Sequence, residues 1–203
     1  EFSTICISFC AICYFSEKHL TIYLSYDIIE LQQRQMIKSL KHRLENIMKK
    51  EIYFDLDGTL YDLYGMENWL ERIEKEKPNT FTDGNFIVNY DEFIQCITKL
   101  KKQGYNFNVI SWLPYDTTYD YRKKCEQEKR SWIKKFLPFV KNVEIQLYGI
   151  LKHTHVQSGI LIDDNERICR HWRNENRIAL NVNKEFNVIS ALKKLIRGEV
   201  ENV

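Results

Sequence analysis

The sequence has few residues that interrupt regular structure. Only three prolines and seven glycines occur among its 203 residues, and none of them precedes Gly58. It also lacks an apolar run of the roughly 20 residues that cross a bilayer. Residues 4–15 are apolar but few, with no basic segment before them and no small-residue cleavage site after them. We therefore expect no membrane partner and no secretory signal, and we predict a cytoplasmic location.

A large charge of one sign is absent as well. Lys and Arg number 30, and Asp and Glu number 28, which leaves a formal net charge of +2. A nearly balanced chain gives no reason to expect a nucleic-acid duplex or an anionic membrane as a partner. Apart from an N-terminal group, the six cysteines are scattered singly. This pattern argues against a disulfide framework and favours a reducing compartment.

The first 47 residues differ from the rest of the chain. Apolar residues recur at helical spacing over residues 26–50, with basic residues between them. Met48 then opens the segment MKKEIYFDLDGTL, which reads like the natural start of a protein. We consider two hypotheses for residues 1–47: a helix that binds a partner, or an upstream segment that is not native to the enzyme. In both, a partly helical N-terminal extension precedes the main domain, residues 48–203.

After Met48, apolar strands alternate with amphipathic helices. The predicted strands lie near residues 50–55, 105–111, 143–149, 159–164 and 178–182, and the predicted helices near residues 66–77, 90–104, 117–136 and 186–197. This alternation predicts an α/β fold of the Rossmann-like, three-layer α/β/α type, with helices on both faces of a parallel sheet. Ligands of such sheets lie beyond the carboxyl ends of the strands.

Polar and charged residues follow three of the predicted strands. The first strand ends at DLDGT, residues 55–59, and the second ends at Ser111. The fourth ends at Asp163 and Asp164, and Lys152 lies shortly before it. Carboxylates that converge on one sheet edge repel each other and raise one another's pKa, and a hard cation with oxygen ligands relieves that repulsion. The pattern therefore predicts a Mg²⁺ site with a phosphate beside it.

Phosphoryl transfer gives each of these residue types a role. Asp55 is the candidate nucleophile, which forms an aspartyl-phosphate, and Asp57 is the candidate general acid and base. Ser111 and Lys152 are the candidate phosphate-binding residues, because they can offset charge in the transition state. The candidate Mg²⁺ ligands are Asp55, Asp57, Asp163 and Asp164.

Some of these assignments have alternatives. Asp164 has a second interpretation as the N-cap of the following helix. Nearby lysines compete with Lys152 for the phosphate-binding role, namely Lys134, Lys135 and Lys141. Three aromatic residues are candidates to stack on a nucleobase, and each has the alternative of a core position: Tyr61, Trp69 and Trp112.

The four motifs carry a family resemblance. DLDGT, FNVIS, Lys152 and ILIDD resemble, in order, the motifs of the haloacid dehalogenase superfamily of phosphohydrolases over about residues 50–185. The resemblance implies that Asp55 is the nucleophile, that Asp57 is the acid/base, and that Asp163 binds Mg²⁺. The segment LKHTHVQSGILIDD is similar to the 5'(3')-deoxyribonucleotidase branch. That branch has a sizeable helical cap, whereas residues 61–90 have room only for a flap and a very small cap.

We therefore expect a Mg²⁺-dependent phosphomonoester hydrolase that acts on a small phosphorylated substrate, with a nucleoside monophosphate as the best single candidate. Two alternatives stay open at this point. One is a phosphatase of a macromolecular or other small phosphate ester, and the other is a non-catalytic binding module with the same fold. A homo-oligomer also stays open, because a second chain can cover a site that a small cap leaves exposed.

Overall fold

The computed structural model describes residues 29–40, 50–156, 158–175 and 177–200. The chain forms two compact units, Glu1–Glu45 and Asn46–Val203. In the first unit, helix α1 spans residues 29–40. The other parts of the predicted N-terminal helix and the apolar stretch of residues 4–15 lie outside the described residues.

The second unit is built on a five-stranded parallel sheet with the strand order β3-β2-β1-β4-β5. The strands are β1 (Glu51–Phe54), β2 (Asn106–Trp112), β3 (Asn142–Gln146), β4 (Ile160–Asp163) and β5 (Ile178–Asn181). The predicted α/β class and parallel sheet are therefore confirmed. From β1 the chain moves outward to β2 and β3, and then crosses back to place β4 on the other side of β1. This reversal creates a crevice at the carboxyl ends of β1 and β4, where ligands of parallel sheets bind.

Helices cover both faces of the sheet. They are α2 (Trp69–Glu74), α3 (Tyr90–Lys102), α4 (Tyr119–Phe136), α5 (Glu166–Asn174) and α6 (Val188–Arg197). Apolar residues of α3, α4 and α6 share one core with Ile52 and Phe54 of β1. Apolar residues of α5 form a second, smaller core with Leu161 of β4 on the opposite face. This arrangement is consistent with the predicted three-layer architecture.

The helix boundaries follow from local chemistry. The Asn89 side chain accepts a hydrogen bond from the Glu92 N–H and so begins α3. Gly104 follows the end of α3 with φ of +89°, a backbone conformation that glycine adopts without strain. Helix α2 is shorter than the predicted residues 66–77, because the chain turns through positive φ at Asn68 and at Glu76. Within the described ranges, none of the helices combines the length and apolar character that crossing a bilayer requires.

The segment between β1 and α3, residues 61–90, is an insertion that is tied to α4. Glu128 of α4 accepts hydrogen bonds from the Asn79 and Phe81 N–H groups at 2.8 and 3.0 Å. Glu76 of the insertion accepts from the Thr118 N–H at 2.6 Å, next to the start of α4. The insertion therefore has fixed contacts with the helix that runs beside the sheet edge.

A substitution at Trp172 tests how much the smaller core contributes to stability. Its ring is fully buried, and its Nε1–H donates to the Gly159 carbonyl at 3.1 Å. Replacing it with Phe leaves a void and an unpaired carbonyl, so Trp172→Phe should lower the free energy of unfolding by about 1–3 kcal/mol. Urea titration measures this change. The matched control is Tyr115→Phe. Tyr115 is 70% exposed, and the free energy of unfolding of this variant should stay within about 0.5 kcal/mol of wild type.

Candidate active site

A buried ammonium group lies at the centre of the site. Lys152 is 3% exposed, and its Nζ donates to Asp55 Oδ1 at 2.6 Å and to Asp163 Oδ2 at 2.7 Å. Asp55 follows β1, and Asp163 is the last residue of β4. Lys152 therefore links the carboxyl ends of two adjacent strands. The competing lysines of the sequence are all exposed, and this contact singles out Lys152 among them.

Main-chain anchors on both sides hold Lys152 in place. It begins a single 3₁₀ turn, Lys152–Thr154, in the loop between β3 and β4. The Trp112 indole N–H donates to the Ile150 carbonyl at 2.8 Å, on one side of the turn. The Arg177 guanidinium donates to the His153 carbonyl at 3.0 Å. Because both anchors bond backbone atoms, the position of the lysine depends on the loop conformation.

Three carboxylates beside this lysine can hold a metal ion. Asp55, Asp163 and Asp164 each offer one oxygen, and these oxygens all lie within 4.8 Å of one another. When ionised, they exceed the single Lys152 ammonium by two negative charges. A divalent cation balances this excess, and carboxylate oxygens are the ligands that hard divalent cations prefer. The residues present therefore fit a metal ion of this kind.

The charge excess is reflected in the acidity of these groups. Burial raises the pKa of Asp55 well above its ordinary value, and the Lys152 ammonium opposes that effect. Burial and the neighbouring Asp163 carboxylate raise the pKa of Asp164 to about 7. Burial by itself lowers the pKa of Lys152, but the charges of Asp163 and Asp55 outweigh it and raise the pKa, so Lys152 stays an ammonium.

The backbone around Asp164 excludes its interpretation as the N-cap of α5. The N-cap of α5 is Asn165, whose side chain accepts from the Arg167 and Ile168 N–H groups. Asp164 is therefore not the helix cap. Its own N–H donates to Thr59 Oγ1 at 3.1 Å, which gives the threonine of DLDGT a structural role.

Gly58 allows the turn of DLDGT to approach Asp164 closely. Its φ is +80°, and a Cβ at this position would lie 2.6 Å from Asp164 Oδ2 and 2.4 Å from the Tyr64 ring. A side chain here would therefore clash with the acidic cluster as well as strain the backbone. The glycine of the motif is required by both space and conformation.

Asp57 has a different partner from the other three acids. Its Oδ2 accepts a hydrogen bond from the ammonium of Lys129, a fully buried residue of α4. Lys129 also donates to Ser111 Oγ at 3.1 Å. Asp57 is not a member of the three-carboxylate group in the described part of the chain, and its assignment as a fourth Mg²⁺ ligand stays a prediction.

Lys129 and Asn181 are the site residues that the sequence reasoning missed. Asn181 ends β5, and its amide donates to the carbonyls of Asp163 and Asp164 at 3.2 and 2.9 Å. The helical spacing of the residues in α4 could have identified Lys129 as buried. It shares the buried face of α4 with four other residues, which are Tyr121, Cys125, Trp132 and Ile133. A lysine at a core position of an amphipathic helix indicates a buried acidic partner.

A cavity of about 630 Å³ opens over this sheet edge. The four acids and Lys152 line its floor, and aromatic rings line its walls, among them Tyr64, Trp69, Trp112, Tyr115 and Tyr148. Two of the proposed stacking candidates, Trp69 and Trp112, therefore face the cavity. The third, Tyr61, is fully buried, and its hydroxyl donates to the Thr80 carbonyl at 2.7 Å. Tyr61 is a core residue.

No protein-family model and no curated protein matches this chain. The functional assignment therefore depends on the residues and their geometry.

The acid cluster makes stability depend on pH when no metal is bound. The pKa of Asp164 rises from an ordinary 3.8 to about 7, so the folded chain binds this proton more tightly. Its contribution to stability is present below about pH 4 and is lost as the pH rises through 7. In EDTA, Asp164→Asn should therefore be more stable than wild type at pH 8, by up to about 4 kcal/mol, and the difference should vanish near pH 4. Urea titrations at several pH values measure it.

The same two proteins test metal binding. At pH 8, Mg²⁺ at ten times its dissociation constant should stabilise wild type by about 1.4 kcal/mol. Asp164→Asn should respond less, because its neutral amide binds a divalent cation more weakly than the carboxylate does. Equal stability of both proteins in EDTA at pH 8, or an equal response to Mg²⁺, would contradict this description of the cluster.

Proposed function

We propose that this chain is a Mg²⁺-dependent phosphomonoester hydrolase of the haloacid dehalogenase type. The observation that carries the proposal is the arrangement around DLDGT. Asp55 lies in the acid cluster beside Lys152, and Asp57 lies in the same cavity with one oxygen held by Lys129. A nucleophile, an acid/base and a metal site in one cavity are the parts that phosphate ester hydrolysis through a covalent intermediate requires.

In the first step, an oxygen of the Asp55 carboxylate attacks phosphorus. The bond between phosphorus and the ester oxygen breaks, and its electron pair stays with that oxygen. Asp57 transfers a proton to the same oxygen, so the leaving group departs as a neutral alcohol. Lys152 and the Ser111 hydroxyl offset the charge on the phosphoryl oxygens. The product of this step is an aspartyl-phosphate on Asp55.

In the second step, water replaces Asp55 on phosphorus. Asp57 is now a carboxylate and accepts a proton from the attacking water. The bond between phosphorus and the Asp55 oxygen breaks, which releases inorganic phosphate and restores both carboxyl groups. Mg²⁺ held by Asp55, Asp163 and Asp164 supplies the positive charge that offsets the phosphoryl group when it is bound.

The cavity supports a small substrate with an aromatic part. A volume of about 630 Å³ is in the range of small-molecule sites and suits one nucleotide or a molecule of similar size. Trp69 and Trp112 offer ring surfaces to a planar group such as a nucleobase. A nucleoside monophosphate is therefore the substrate that we propose.

The chemistry is tested with Asp55→Asn. We expect wild type to release phosphate from nucleoside 5'- or 3'-monophosphates with Mg²⁺ and to stop in EDTA. Asp55→Asn should lose at least about 10⁴-fold in kcat, because an amide does not form the aspartyl-phosphate. Phosphate release from a panel of nucleotides and sugar phosphates measures both effects.

The matched control is Asp91→Asn, an exposed acid in the first turn of α3, which should keep wild-type activity. Release that continues in Asp55→Asn, or that does not depend on Mg²⁺, would refute the proposed mechanism. A folded wild type that releases phosphate from none of these substrates would instead support the non-catalytic alternative or a macromolecular substrate.

The role of the aromatic cavity residues in binding a nucleobase is tested separately with Trp69→Ala. Loss of a stacking surface should lower kcat/KM for nucleoside monophosphates about 10-fold or more and leave a small phosphate without a ring, such as glycerol phosphate, nearly unchanged. Steady-state kinetics on the two substrates measure the ratio. An equal effect on both substrates would show that Trp69 supports the insertion rather than the substrate.

A further inference from the structure

Lys129 is buried behind the cavity, and its three ammonium hydrogens have three acceptors. They are Asp57 Oδ2, Ser111 Oγ at 3.1 Å and the Trp112 carbonyl oxygen at 2.7 Å. Its hydrogen-bonding capacity is therefore filled. The ring of Phe81, from the insertion, lies 4.4 Å from the ammonium. A charged group enclosed in this way is held in one position and does not reach the substrate itself.

The two oxygens of Asp57 have different surroundings as a result. Oδ2 is bonded to Lys129, whereas Oδ1 is buried and has no hydrogen-bond partner among the residues that the structure describes. Asp57 also lines the cavity. Lys129 thus fixes the carboxyl group of a cavity residue through Oδ2, while no described residue forms a hydrogen bond with Oδ1.

Ser111 is oriented by the same ammonium. Because its oxygen accepts from Lys129, its own hydrogen points to a different partner. Ser111 is fully buried, so Lys129 fixes the hydroxyl of this candidate phosphate-binding residue with the same ammonium that holds Asp57. One lysine therefore positions a group for proton transfer and a group for phosphate binding.

We propose that Lys129 is the positioning residue for proton transfer by Asp57. This inference rests on the proposed function. When the bond between phosphorus and the ester oxygen breaks, its electron pair stays with the oxygen, and the Asp57 proton moves to it. Lys129 touches neither atom and acts by holding the carboxyl group where this transfer occurs.

The nature of the leaving group separates this role from general support of the fold. An alkoxide is a poor leaving group and needs the Asp57 proton, whereas p-nitrophenolate departs without it. General acid catalysis contributes about 10²–10⁴-fold to such a step. Loss of positioning should therefore slow phosphoryl transfer to Asp55 from an alkyl phosphate much more than from p-nitrophenyl phosphate. The second step, hydrolysis of the aspartyl-phosphate, is the same for both substrates. A loss of folded protein lowers both rates by one factor.

The experiment compares benzyl phosphate with p-nitrophenyl phosphate, two substrates of similar size, in full-length wild type and variants with saturating Mg²⁺. Lys129→Met should slow the first-turnover release of benzyl alcohol about 100-fold or more and that of p-nitrophenol less than about 10-fold. Any change in KM should be the same for both substrates, because Ser111 is a candidate ligand of the phosphate that they share. The matched control is Lys134→Met, an exposed lysine of the same helix, which should behave as wild type.

Removing one member of a buried ion pair is destabilising, so Lys129→Arg provides a second test. It keeps the charge, but a planar guanidinium does not match three acceptors arranged around an ammonium. We expect about a 10-fold loss on benzyl phosphate and almost none on p-nitrophenyl phosphate.

The possible results distinguish a failure of the role of Lys129 from a failure of the proposed function. Equal losses in the first turnover on both substrates, or no loss on benzyl phosphate in either variant, would overturn the role of Lys129 and leave the proposed function in place. A folded wild type that hydrolyses neither substrate nor any nucleotide would overturn the proposed function and the role of Lys129 together.

Discussion

The contact of Lys152 with Asp55 and Asp163 is the interaction on which the rest of the site depends. It joins the ends of β1 and β4 at the point where the chain reverses its direction across the sheet. Without this ammonium, three carboxylates would converge in a buried crevice with no positive charge among them. With it, the excess is two negative charges, which one divalent cation balances. The lysine therefore offsets part of the repulsion among these acids, and the charge that remains fits a divalent cation.

Asp57 forms a second, separate ion pair with Lys129. Asp55 and Asp57 are one residue apart in sequence, yet their carboxyl groups have separate lysines, one from a loop and one from a helix. The two acids therefore have different electrostatic surroundings, which suits two different chemical roles. Residue spacing in the motif places both groups in one cavity, and the lysines distinguish them.

The convergence of the acids on one edge of the sheet could be predicted, because parallel strands bring their carboxyl ends together whatever lies between them. Asp55 and Asp163 could be assigned in this way, since each lies at the end of a strand, and Lys152 followed from its place in the loop before β4. Lys129 could not be assigned in this way, because it lies in the middle of a helix and not at a strand end. Only the helical spacing of its neighbours on the buried face of α4 indicates that it points inward. The role of Asp164 was ambiguous for a different reason. Asn165 also has a capping side chain, and only the backbone geometry decides between adjacent caps.

The adjacency of Glu128 and Lys129 has a consequence for how the cavity recognises a ligand. Glu128 holds the insertion through two backbone N–H groups, and the next residue holds Asp57. The insertion, which carries Tyr64 and Trp69, and the Asp57 carboxylate are thus both bonded to one turn of α4. Selectivity in such a cavity comes from preorganisation, in which ligand shape is matched to fixed walls, more than from closure around the ligand. Molecules that differ in ring size should accordingly differ in how tightly they bind rather than in how fast a lid closes over them.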